Sequence, residues 1–184
     1  MATVAGPYSP GTVIADEDWD SPNSVKVSDN SYALCLVYPD SDSGVLAASD
    51  FDPDIPDTAG IVGILLEIER KASSAGVIRD AEIYFVKGST LSPNLAAPGY
   101  WPIEDAYAGY GGEADTGGLT LTGADVKSAD FRIWLFVHCD EPEHGFDAKI
   151  DHIRAWFYWQ EFAGGPLIRT RTGFMPASMQ RAPC

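Results

Sequence analysis

The chain has 184 residues, 45% of them hydrophobic and 21% charged, which suits one globular domain and excludes general disorder. Its 27 acidic and 12 basic residues leave a net charge of −15, a balance that disfavours direct binding to nucleic acid or anionic lipid. The three cysteines, Cys35, Cys139 and Cys184, are odd in number and far apart, so no disulfide framework is expected, and no stretch approaches the length of a membrane helix.

Residues 1–30 are rich in Pro, Ser, Asp and Gly and read as an irregular N-terminal arm. No charged segment followed by an apolar run opens the chain, so synthesis in a cytoplasm without an export signal is expected. A short buried strand is predicted over 32–37, a turn over 38–44, another short strand over 44–49, and a loop around Pro53 and Pro56. Over 61–71, Ile64, Leu66 and Ile68 alternate with Leu65, Glu67 and Glu69, which is the period of a strand with one face in a core. A polar turn follows at 71–76. Over 79–87, Ala81, Ile83 and Phe85 alternate with Glu82, Tyr84 and Val86, so the two strands read as an antiparallel hairpin.

Residues 88–127 form a long region rich in Gly, Ala, Thr and aromatics, with a short strand expected near 118–122. Phe131, Ile133, Leu135 and Val137 then alternate with Arg132, Trp134, Phe136 and His138. An acidic turn leads into the last strand, over 148–160. There Ile153, Ala155, Phe157 and Trp159 share one face, and His152, Arg154, Trp156 and Tyr158 share the other. Cys35 and Cys139 fall in apolar runs and are expected to be buried. The sum is an all-β fold: an antiparallel two-sheet sandwich, jelly-roll-like, spanning 31–161, with irregular arms at 1–30 and 162–184.

Catalytic chemistry is weakly supported. There is no Gly-x-Ser-x-Gly elbow, and His138 and Cys139, as strand neighbours, point to opposite faces. No enzyme is expected. His138, Glu141, Glu143 and His144, with His152 on the next strand of a supposed hairpin, include zinc-capable donors, but their spacing matches no closed zinc pattern. The acidic groups at 16–18, 40–42 and 50–54 lack the spacing of a calcium loop and read as solvated turns. No metal or cofactor is therefore expected. Trp101 reads as closing the core, whereas Tyr107 and Tyr110 are candidates to stack on a sugar or anchor a protein. Arg169, Arg171 and Arg181 give an acidic molecule a basic tail, a candidate for docking on a neighbouring subunit.

Six phrases occur in one order. The first has Phe51, Ile55-Pro56, Ala59, Ile61 and Gly63-Ile64, running on through Leu66 to Ser73. Arg79-Asp80 leads into 83–88; Trp101-Pro102 and Tyr110-Gly111-Gly112-Glu113-Ala114-Asp115 follow. The last two are 119–126 and 150–158. This set, covering about 51–159, resembles a β-sandwich module of tailed-phage virion and prophage-derived proteins. The chain departs from the family where Gly117-Gly118 replaces a Trp-Gly pair and Leu121 replaces what is often a second Trp, so a loop contact typical of the family is expected to be missing. The resemblance implies a structural virion component with no catalytic residues to carry over. The expectation is a decoration or cement protein on the outer capsid surface, a trimer or dimer bound to the major capsid protein or other virion proteins. The alternatives are a head-fibre or tail receptor-binding module contacting host glycans, or a carbohydrate-binding module.

Overall fold

The structure, a computed structural model, describes residues 1–161. The expected basic tail, 162–184 with Arg169, Arg171 and Arg181, lies outside the described residues. In chain order the elements are β1 (Thr3–Tyr8), β2 (Thr12–Ala15), β3 (Trp19–Asp20), a 3-10 turn (Pro22–Val25), β4 (Ala33–Val37), β5 (Ser41–Asp42), β6 (Leu46–Ser49), β7 (Gly60–Ala72), β8 (Ile78–Lys87), β9 (Thr90–Leu91), β10 (Ala106–Gly112), β11 (Leu121–Thr122), α1 (Gly123–Lys127), β12 (Phe131–Cys139) and β13 (Phe146–Gln160).

Two antiparallel sheets pack face to face as an all-β sandwich. The larger has the order β10-β7-β13-β4-β3, with β1 added to β13 and β11 to β7; the smaller has the order β2-β6-β12-β8-β9, with β5 added to β12. Period-two alternation explains the core. Ile64, Leu66 and Ile68 of β7, Ile153, Ala155 and Phe157 of β13, and Cys35 of β4 are buried against Ile83 and Phe85 of β8 and Phe131, Ile133, Leu135, Val137 and Cys139 of β12. Burial of each large apolar side chain contributes roughly 1.5–3 kcal/mol. Phe51, Phe131 and Phe157 stack edge to face with centroids 6.1–6.5 Å apart, joining the sheets at one end. Burial pushes the Cys35 thiol up to about 12, with nearby Asp18, Asp147 and Asp20 adding to the effect, so it behaves as a small hydrophobe.

Three sequence expectations are corrected. The first thirty residues are no irregular arm: β1 pairs with β13 in the large sheet, β2 with β6 in the small sheet, and β3 with β4 back in the large one. These strands escape a periodicity reading because they are short and lie at sheet edges. Gly6 and Pro7 interrupt β1 where its register shifts, and an edge is where a strand proline is tolerated. Asp16 and Asp18 fasten the segment by accepting the backbone N–H groups of Val45 (2.9 Å) and Gly44 (2.7 Å). Secondly, β7 and β8 form no hairpin, since they belong to opposite sheets, and the same holds for β12 and β13. The short turns between these strands carry the chain from sheet to sheet, which alternation within a strand cannot reveal. Thirdly, the expected inward order of β8 changes. A bulge opposite Phe136 and Val137 leaves Ala81 out of register, so Asp80 points into the core and Ala81 does not.

The glycine phrases have steric reasons. A side chain at Gly63 would collide with the carbonyls of Gly112 and Glu113, and Gly111 holds φ +74° beside Ile64. The stretch 119–126 carries β11, within the short strand expected near 118–122, and the start of α1. Thr122 and Asp125 form a reciprocal capping box on α1.

Candidate interaction sites on the two faces of the large sheet

Of the residues singled out from sequence, Tyr107 and Tyr110 lie on opposite faces of β10 in the β7–β10 ladder. Tyr110 occupies the inner face. It is 3% exposed and donates its hydroxyl to Asp80 Oδ2 (3.0 Å), so it is not available to stack on a sugar or a protein, and burial pushes its phenol up. Trp101 is buried as expected and donates Nε1–H to Asp80 Oδ1 (2.8 Å). Arg70, on the same parity of β7 as Ile64, Leu66 and Ile68, forms an ion pair with Asp80. Its guanidinium lies 4.8 Å from the centroid of Trp101 and 5.6 Å from that of Tyr110. Ala97 N–H donates to Asp80 Oδ2 as a fourth partner (3.1 Å). One carboxylate thus ties β7, β8, β10 and the 92–105 connection together across the sandwich. Arg70 and Asp80 were absent from the expected site residues. A charged residue on an apolar parity was the legible signal for Arg70; Asp80 needed the bulge.

The outer face repeats the same residue types. Glu67 of β7 accepts from Arg154 Nε (2.7 Å) and Trp156 Nε1 (2.9 Å) of β13, and Arg154 lies 4.0 Å from the ring centroid of Tyr107 on β10. Partial burial pushes the Glu67 carboxyl up, but the bonds from Trp156 and Arg154 and the guanidinium charge outweigh it and hold the group below its usual range. Tyr107, 38% exposed, hydrogen-bonds His152 Nδ1 through its hydroxyl (3.0 Å), and Ser9 Oγ meets His152 Nε2 (2.8 Å). Burial, then the Arg154 charge, lowers His152 below the ordinary imidazole value, against the opposing carboxylates Glu69 and Asp151. At the edge, Lys71 Nζ binds Asp105 (2.8 Å) and Tyr32 (2.7 Å), and these bonds raise the lysine. The result is a pre-organised polar and aromatic surface tied by the bonds of Glu67, Arg154, Trp156, Tyr107 and His152, with one buried oxygen of Glu69 and one of Asp105 left without a partner among the described residues.

The other candidates separate. His138 bonds Asp42 (2.6 Å) and Asp140 (3.0 Å) on the small sheet, while His152 stands on the large one, so the two histidines are not neighbours on a hairpin. Among the described residues, no group of three or more His, Cys, Asp or Glu side chains is arranged to hold a metal ion. Asp57 pairs with Lys127 (2.9 Å), and Asp54 N–H donates to the Tyr8 hydroxyl (3.1 Å). Among the described residues no helix is long and apolar enough to cross a membrane. Compared with family models, with curated proteins and with solved structures, the chain matches none of them.

Proposed function

We propose that this chain is a non-enzymatic structural protein of a tailed-phage virion, a decoration or cement protein that binds the outer capsid surface. The observation that supports this reading is where the recurring phrases meet. Arg70, Arg79-Asp80, Trp101 and Tyr110-Gly111-Gly112 come from four separate phrases, and Arg70, Trp101 and Tyr110 converge on the buried carboxylate of Asp80. Residues that recur together because they build one framework are the signature of a structural module, and structural virion proteins are where the resemblance lies. The net charge of −15 favours protein surfaces over nucleic acid as the partner. Binding at many equivalent shell sites would stabilise the particle by mass action.

The test is cryo-EM and mass spectrometry of virions from the source phage, with co-sedimentation of purified protein and assembled capsids. Sandwich density at subunit junctions of the shell is the expected result. Density confined to a tail or fibre tip, with sugar binding lost in Tyr107→Ala, would assign the chain to host-glycan recognition. Absence from the particle would overturn the virion reading.

A further inference from the structure

We propose that β10 is a self-association edge, at which two copies of this chain join their large sheets into one continuous antiparallel sheet. β10 ends the large sheet, and among the described residues its ladder partner is β7 alone. Natural sheet edges are shielded by shortness, charge, proline or bulges. Among the described residues the other ends of the two sheet orders are short, β2 with four residues and β3 and β9 with two each, and β1 carries Pro7 and a register shift. β10 has seven residues, Ala-Tyr-Ala-Gly-Tyr-Gly-Gly, paired to β7 without a register shift and with no charge and no proline.

Gly109 is the second observation. Its φ is not in the left-handed region, and a Cβ there would find Leu65 Cδ1 at 3.5 Å, an ordinary contact. Neither the backbone nor the packing of this chain requires a glycine in mid-strand, where glycine is unfavourable. The missing side chain leaves room on the outer face for a ring carried by an outside strand.

The occupant that fits is a second copy. Two bodies of charge −15 repel, so they can meet closely only where neither presents charge, and β10 is such a strip. A basic partner would be drawn instead to the acidic loops. The register follows from sterics and charge. A two-fold axis at Ala108 sets Tyr107 of each copy opposite Gly109 of the other, filling the space its missing side chain leaves, and sets Ala106 opposite Tyr110. The neighbouring register, centred on Gly109, would bring Asp105 opposite Glu113, a like-charge pair. This association is independent of the virion reading and has its own readouts.

The experiment is sedimentation of the full-length chain from micromolar to millimolar concentration, alongside Gly109→Lys and an Ala108→Cys variant carrying Cys184→Ser. The lysine sits where the monomer has room. Gly109→Lys is expected to raise the dimer dissociation constant at least about tenfold while the monomer keeps its thermal midpoint. Opposed Cα atoms in such a ladder lie about 4.5–5.5 Å apart, within disulfide range, so Ala108→Cys should cross-link on oxidation. A chain that stays monomeric throughout, a dimer indifferent to Gly109→Lys, or a dimer that fails to cross-link through Ala108→Cys would each overturn the proposal. So would a sugar bound by the monomer and lost in Gly109→Lys.

Discussion

The two faces of the β7–β10 ladder carry nearly the same quartet. Inside, Asp80 accepts from Arg70 and Trp101, and the guanidinium lies over Tyr110; outside, Glu67 accepts from Arg154 and Trp156, and the guanidinium lies over Tyr107. What differs is water. The Asp80 side chain is fully buried, whereas Glu67 and Arg154 each keep about a quarter of their side-chain surface in solvent. The residue types are alike, but Asp80 also accepts from Tyr110 and Ala97 N–H, and an unpaired charge inside has no solvent to fall back on. The inner quartet therefore holds the fold together, and the outer one shapes a surface.

The largest effect should come from breaking the inner pair on one side. Asp80→Asn leaves Arg70 charged and buried, and is expected to cost about 3–5 kcal/mol of stability, read from denaturant midpoints. Adding Arg70→Met to Asp80→Asn removes the unpaired charge while the new amide keeps an acceptor for the remaining donors, so the double variant should cost less than Asp80→Asn alone; a larger loss would show that the unpaired charge does not dominate. Next, Trp101→Phe keeps the ring but removes one donor to Asp80, with an expected loss of about 1–3 kcal/mol. The outer counterpart is smaller. Glu67→Gln should cost about 1 kcal/mol or less and lose part of even that in high salt, whereas the Asp80→Asn penalty should be insensitive to salt. Equal penalties for Glu67→Gln and Asp80→Asn would erase the contrast between the faces.

The smallest effect is on pH dependence. His152 is lowered in the folded chain from the ordinary 6.5, so the unfolded chain takes up its proton first as pH falls. Its contribution is present above about 6.5 and is lost on acidification through the folded value. Glu67, also lowered, acts in the same direction from its ordinary 4.5 downward. His152→Gln should flatten the upper part of that decline, as followed by thermal midpoints from neutral to mildly acid pH. An unchanged slope would remove His152 from the account.

Much of the fold was legible because alternation reports burial directly. The facing rows of β7, β12 and β13 follow from period two, and Trp101 is buried as its sequence setting predicts. Tyr110 escapes a sequence reading because a tyrosine in a glycine-rich stretch looks like a loop residue. Its strand is recognisable only through its pairing with β7. The strands within 1–30 escape such a reading too, because edge strands bury too little to need a pattern.

By itself, the sequence determined that long amphipathic strands would bury one face each and that glycines would stand at close approaches such as Gly63. Which strands pair, which sheet each joins, and where one extra residue reverses the parity of β8 were decided by the tertiary structure. Alternation is a property of each strand alone. Pairing and bulges depend on the partner strand, and the inward turn of Asp80 is stable only where Arg70, Trp101 and Tyr110 arrive from elsewhere in the chain to meet it.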